Sequence, residues 1–273
     1  MIHLDPKPLD LNKFRANPTI VLVAKRGSGK STCIKNLMHH FDVNAHIPVG
    51  VVCSHSEDLD PFFSEFFPPA FIFNDCIKML HKVLERQEKI KDENKKLAAE
   101  GKPTKDARIL VILDDVIDNP SFMKDEAFRT IMLNGRHYDI TLIIAVQYTK
   151  SLPPNARGNF DYIFIFKNDI AAEIKKLYTE YAGIFPKESI FKAALQAFTA
   201  NHQIMVIDMV TASGDLNDKF FIYKAKLNLP YNHFGSTTFN NYNDKHYNKK
   251  WKESKRGINV GLNSRDINVF YNS

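Results

Sequence analysis

The chain has 273 residues, 44% hydrophobic and 25% charged, with net charge +6. That suits one large globular domain with at most a small appendage, and it argues against a disordered or fibrous chain. No apolar run approaches the length of a membrane span, and the N-terminal Met-Ile-His-Leu-Asp-Pro has no signal-peptide pattern, so neither a membrane segment nor secretion is expected.

Residues 1–18 read as a loop carrying Pro6, Pro8 and Pro18. Then comes an apolar strand, Thr19–Ala24, and a helix-like stretch, Thr32–His39, with Lys25-Arg26-Gly27-Ser28-Gly29-Lys30-Ser31 between them. Strand, glycine loop and helix in this order make a P-loop of the form G-x-x-x-x-G-K-[ST], with Ala24 where the first glycine usually stands. Residues Ala24 to Thr32 form the expected nucleotide cradle. Gly27 and Gly29 let backbone N–H groups approach phosphate oxygens. The helix start adds its positive dipole end. Lys30 is expected on the β- and γ-phosphates of ATP, Ser31 on Mg²⁺, and Thr32 near the α-phosphate.

A second strand is expected at Val49–Cys53 and a third at Phe71–Phe73. From Asp75 to about Glu100, Ile77, Leu80, Val83, Leu84, Gln87 and Ile90 recur at helical spacing. The Lys- and Glu-rich stretch from Glu85 to Lys105 reads as a solvated helix and turn, or as a protruding contact element. Cys33, Cys53 and Cys76 lack metal-ligand spacing and are expected as reduced, buried thiols.

Ile109–Leu113, Thr141–Val146 and Tyr162–Phe166 are nearly continuous apolar runs, the pattern of parallel strands covered on both faces. The first runs into Asp114-Asp115, a Walker B pattern. Asp114 is expected to hold Mg²⁺ through water, and Asp115 to position and polarise the attacking water. The second ends at Gln147, placed to bond the γ-phosphate or the lytic water. Phosphoryl transfer also calls for a cation on the departing phosphate, in cis or from a neighbouring subunit. Arg136 and Arg157 are the leading candidates, with Arg26 next.

Helices are expected over 169–181 and 186–198, and strands over Gln203–Met209 and Phe220–Lys226. The chain divides into an ATPase domain, residues 1–228, and a basic, aromatic-containing segment, residues 229–273. From Asn240 onward seven basic residues face three acidic ones, with Tyr242, Tyr247 and Trp251 interleaved. This suits nucleic-acid binding and equally a solvated tail.

With these motifs in order, the chain resembles the ASCE, RecA-like class of P-loop NTPases: an α/β fold with a mostly parallel central sheet flanked by helices. In that class an extra strand separates the P-loop and Walker B strands. The stretch between Ser31 and Asp114, with its two expected strands, is long enough to supply it. More closely, the chain resembles the genome-packaging ATPases of poxviruses and other nucleocytoplasmic large DNA viruses, within the FtsK–HerA superfamily. The resemblance rests on Ala24–Ser31, Ile109–Asp115, Asn134-Gly-Arg-His running into Ile140–Gln147, and Asn155–Asp161. It spans roughly residues 18–210.

The resemblance implies an ATP-driven motor that moves double-stranded DNA into a preformed capsid. It implies a homo-oligomeric ring, pentamer or hexamer, and a capsid or portal protein as partner. The expected location is the host cytoplasm, in a viral factory, or the virion. Two other readings stay open on the residues alone: a P-loop kinase, and a nucleotide-gated DNA-binding module with little hydrolysis.

Overall fold

In the computed structural model of the chain, residues 4–116, 120–147, 152, 157–231 and 233–248 are described. Nine strands form one sheet: β1 (Lys7–Pro8), β2 (Thr19–Val23), β3 (Val49–Ser54), β4 (Ile72–Phe73), β5 (Ile109–Asp114), β6 (Ile140–Val146), β7 (Tyr162–Ile165), β8 (Ile204–Asp208) and β9 (Phe220–Tyr223). Their order is β1-β9-β8-β7-β2-β6-β5-β3-β4. All pairings are parallel except β7–β8 and β8–β9. The described helices are α1 (Lys30–His39), α2 (Cys76–Ala99), α3 (Pro120–Lys124), α4 (Glu126–Asn134), α5 (Ala171–Tyr181), α6 (Glu188–Phe198) and α7 (Thr237–His246).

The apolar runs have a simple cause. Side chains alternate across a strand, and both faces of this sheet are covered. Val21, Val23, Val111, Leu113, Leu142 and Ile144 face a layer built on α2, α4, α5 and α6. Ile20, Leu22, Leu110, Ile112 and Ile143 face the other layer, which holds α1, Phe63, Phe66 and Phe67. A strand buried on both sides has no position left for a polar residue except at its tips.

Three expectations need correction. The first 18 residues are not all loop, because Lys7–Pro8 pair in parallel with Phe221–Ile222 at the sheet edge. The strand between the P-loop strand and the Walker B strand is not drawn from the stretch 31–114. It is β6, the strand leading to Gln147, while β3 and β4 lie beyond β5. The third concerns the cysteines: Cys33 is free and buried, but Cys53 and Cys76 are joined as a disulfide across Cα atoms 5.6 Å apart. Wide separation in sequence hid a pairing that the β3–α2 packing creates.

Helix α2 is amphipathic only in part. Asp75 caps it by accepting the Lys78 N–H at 3.1 Å. Its buried residues end at Gln87, and the turns beyond are solvated. Gln87 donates its amide to the Ala107 carbonyl at 2.8 Å and also bonds the Tyr138 carbonyl. It thereby ties α2 to the approach of β5 and to the turn that precedes β6.

Residues 229–231 and 233–248 lie against the α1 layer. Asp42 accepts the Tyr231 hydroxyl at 3.0 Å and the Gly235 N–H at 2.9 Å. Phe234 is fully buried and stacks on Phe67, with ring centroids 5.0 Å apart. Phe239 of α7 packs on Phe71. Trp251 and the basic residues from Lys249 onward lie outside the described residues. Gly50 explains how the docking is possible: a Cβ there would stand 2.8 Å from the Phe234 ring and 3.1 Å from the Leu110 carbonyl oxygen.

Phe234→Ala is expected to lower unfolding stability by about 3–5 kcal/mol. Gly50→Ala should lower it by about 1–3 kcal/mol alone, and by less in the Phe234→Ala background, where its clash partner is gone. Urea unfolding of the four-protein cycle reads both effects, and simple additivity would show that Phe234 does not seat on Gly50.

Candidate active site

Parallel strands end together, so their C-terminal tips can share one crevice. β2, β6 and β5 are neighbours in register, with Val23 opposite Val146 and Asp114 opposite Ala145. The residues just past these tips are the P-loop, Gln147 and Asp115. The fold therefore brings together three motifs that are far apart in the chain.

The loop is built at its start by Ala24, which is buried and donates its N–H to the Val146 carbonyl at 3.0 Å. Positive φ in the loop falls on Gly27 (75°) and Gly29 (93°), not on Ala24. An alanine is thus tolerated at the first position of the motif, while the two glycines carry the conformations that side chains disfavour. No atom lies within 4 Å of where a Cβ on either glycine would stand, so the loop's face is open. Ser28 closes the turn, with its N–H and hydroxyl both donating to the Lys25 carbonyl. Lys25 and Arg26 are exposed, and Lys25 lies 3.9 Å from Asp169. Gly29 caps α1 without any side-chain cap, leaving first-turn N–H groups for an anion. Ser31 and Thr32 follow in that first turn, both half-buried.

Lys30 stands between the two Walker B acids. Its ammonium is 3.0 Å from Asp114 Oδ1 and is also paired with Asp115 Oδ2. Gln147 Nε2 donates to that same Asp115 oxygen at 2.6 Å. Asp115 adopts φ +53°, and its N–H donates to the Ala145 carbonyl at 3.1 Å. An aspartate tolerates this left-handed conformation better than most side chains, which points the carboxylate back over the crevice. Burial holds the Asp114 carboxyl above its ordinary pKa, opposed by Lys30 and reinforced by Asp115 and Glu57.

Asp115 Oδ1 is buried and accepts no hydrogen bond, and Asp114 Oδ1 faces the Lys30 ammonium. Two carboxylates, one with an unpartnered oxygen, and a serine hydroxyl at a helix start are the oxygen donor set that a hard, octahedral cation such as Mg²⁺ prefers. The cradle, the cation and the acids fit a magnesium–nucleotide.

The arginines are placed differently. Arg136, in the turn before β6, is 3.9 Å from Asp161. Asp161 accepts the Thr19 N–H at 2.8 Å, so both lie at the start of β2 rather than at its tip. Five strand residues at about 3.3 Å each put Arg136 roughly 16 Å from its own P-loop. The Arg157 carbonyl accepts from Phe160 N–H at that same end, and its side chain is ion-paired with Glu180 and only 15% exposed. Arg136 is 42% exposed. Among the three candidates, only Arg26 is on the P-loop side.

Two further residues belong to this account. Asp161 is buried and holds Arg15 at 3.0 Å as well as Thr19. Glu57 is buried and accepts the N–H groups of Phe62, Phe63 and Ser64. Residue type and spacing alone do not show that these acids are buried; their hydrogen-bond partners do.

A family model described as the poxvirus A32 protein matches residues 7–217. The chain belongs to that family. This is the packaging-ATPase family that the Walker and Gly-Arg-His motifs resemble, and the chain is a P-loop ATPase with the corresponding α/β fold. It is 35% identical over 271 residues to an uncharacterised protein of Acanthamoeba polyphaga mimivirus, covering 96% of this chain and 94% of that one. It is 31% identical over 224 residues to an uncharacterised protein of Frog virus 3, covering 81% and 66%. Among solved structures it is similar in fold to B204, the DNA-packaging ATPase from Sulfolobus turreted icosahedral virus. There the TM-score is 0.51 at 14% identity, over 78% of this chain and all of that one. It is likewise similar in fold to the conjugation coupling protein TcpA of pCW3, with TM-score 0.50 at 13% identity, over 91% and 66%.

The raised pKa of Asp114 fixes a sign. Ionising this carboxyl is harder in the folded chain than in the unfolded one, so its contribution to stability falls as pH rises from the ordinary carboxylate range through the raised value. Asp114→Asn should therefore leave the nucleotide-free protein at pH 7 at least as stable as the parent. It should also abolish the extra thermal stabilisation that Mg²⁺ adds to ATP. Retained Mg²⁺-dependent stabilisation in thermal melts would rule Asp114 out as a metal residue.

Proposed function

We propose that this chain is an ATP-driven double-stranded DNA translocase that packages a viral genome into a preformed capsid. The observation that carries this reading is the convergence of Lys30, Asp114, Asp115 and Gln147 at the tips of three neighbouring parallel strands, in a member of the poxvirus A32 family. The solved neighbours in fold include viral packaging NTPases crystallised with ATP analogues, which supports the same substrate here.

In this reading Gly27, Gly29 and the α1 N–H groups receive the phosphates. Lys30 leaves its two carboxylates to pair with the β- and γ-phosphates. Bound Mg²⁺, held by Ser31 and Asp114, supplies charge neutralisation of the phosphate oxygens. Asp115, released from Lys30, orients and polarises the attacking water, and Gln147 keeps the Asp115 carboxylate aimed. The exchange of Lys30 from carboxylate to phosphate gives the site two electrostatic states that nucleotide can switch.

The remaining cation comes from a neighbour. Arg136 and Arg157 lie at the end of the central strands opposite their own P-loop, so either reaches a γ-phosphate only across a subunit boundary. Arg136 is the better finger, being exposed and loosely paired, whereas Arg157 is committed to Glu180. This placement supports a ring, pentameric or hexameric, threaded by duplex DNA and seated on a capsid or portal protein. The virus factory or the virion is the fitting location. No helix among the described residues is long and apolar enough to cross a membrane.

Steady-state ATP hydrolysis with and without long duplex DNA tests the reading, with Lys30→Ala as the blank. Turnover stimulated by DNA and reduced about 10²-fold or more in Lys30→Ala is expected. Turnover indifferent to DNA would defeat the translocase. Arg136→Ala should bind ATP normally and lose about 10³-fold in turnover. Mixing it with Lys30→Ala should restore part of the activity, because each supplies what the other lacks. Absence of rescue would remove the trans role of Arg136.

A further inference from the structure

We propose that Cys53 and Cys76 form a reversible dithiol–disulfide site at the flank of the nucleotide crevice, at which external thiols enter through Cys76. The observations are independent of the ATPase reading. Cys53 lies on β3, directly before Ser54, and Ser54 is the register partner of Asp114 on β5. Cys76 is the first residue of α2. The pair closes a chain separation of 23 residues that includes the exposed stretch 58–61.

The two sulfurs are not equivalent. Cys53 has no exposed surface, whereas Cys76 is 5% exposed and stands under the exposed His55. His55 Nε2 lies 3.8 Å from Cys76 Sγ, and the two sulfurs and the imidazole all fall within 4.8 Å of one another. A helix start favours a thiolate, and a neighbouring imidazole can take or give the proton. In the reduced state the Asn74 carbonyl, 3.7 Å from Cys76 Sγ, is available to a thiol hydrogen. Cys33 is the contrast: burial pushes its thiol pKa up, so it stays protonated and inert.

The exchange is balanced with an external dithiol as reductant. One of its thiolates attacks Cys76 Sγ, and a mixed disulfide forms there. The Cys53–Cys76 bond breaks, and its electron pair leaves on Cys53 Sγ, which takes a proton from the imidazolium of His55 or from water. The dithiol's second thiolate then attacks its own bonded sulfur and releases Cys76 as a thiolate. Two electrons have moved from the dithiol, now a cyclic disulfide, to the protein. An external disulfide such as glutathione disulfide runs the sequence backwards.

Reduction frees the C-terminal end of β3 from the start of α2, beside the Walker B tip. Its first consequence is lost stability, because the unfolded chain regains the closed loop's freedom.

The test uses the full chain. After equilibration with glutathione disulfide, unfolding in iodoacetamide should label one cysteine, and three after dithiothreitol. Excess reduced glutathione added to native protein should give a mixed disulfide that peptide mapping places on Cys76. Cys53→Ser should trap glutathione at Cys76 at least about tenfold faster than Cys76→Ser traps it at Cys53. His55→Ala should slow the native exchange several-fold. Dithiothreitol should lower the melting temperature by about 5–10 °C in the parent and by under about 1 °C in the double Cys53→Ser, Cys76→Ser variant. Three labelled cysteines after oxidation would overturn the proposal. So would mixed disulfide confined to Cys53, or a protein isolated with free thiols and one bound zinc per chain. If Cys53→Ser does not fold, the mapping on the native parent decides alone.

Discussion

Burial of the central strands on both faces is the constraint from which the rest follows. β2, β6, β5 and β7 have no solvated side, so their side chains are almost all apolar, with Thr19, Thr141 and Asp114 at or next to strand ends. Polar chemistry is then admitted only where strands stop. At one end stop Val23, Asp114 and Val146, and there the P-loop, Asp115 and Gln147 meet. At the other end Asp161 gathers Thr19, Arg15 and Arg136. The sheet thus separates the end that carries the P-loop from an arginine-bearing end by the length of its strands.

The charged cluster at the P-loop end is held in tension by that geometry. Asp114 is buried and resists ionisation, yet Lys30 lies against it and against Asp115. Without nucleotide the lysine satisfies two acids at once. In the proposed reading a triphosphate draws the lysine away, and the two acids are then balanced by a divalent cation.

The second layer shows how a segment outside any motif becomes structural. Asn36 and Asp42, on and after the P-loop helix, bond Lys226, Tyr231 and Gly235. Phe234 fills the space that Gly50 leaves. The P-loop helix is therefore backed by chain about 190 residues later in sequence. On the opposite face, Gln87 spends its amide on two backbone carbonyls and so positions the turn that carries Arg136.

Much was legible in the sequence, and for local reasons. Apolar runs named the central strands, Gly27 and Gly29 named the loop between β2 and α1, and Asp114, Asp115 and Gln147 followed from the ends of apolar runs. Residue type and spacing carry such information because strand, turn and helix are short-range. What the sequence left open is long-range. It did not show that β6 inserts between β2 and β5, since strand order is set by packing and not by chain order. Nor did it show that Cys53 meets Cys76, that Asp161 and Glu57 are buried by their backbone partners, or that Arg136 faces away from its own P-loop. Those facts exist only once the helices have chosen which face of the sheet to cover.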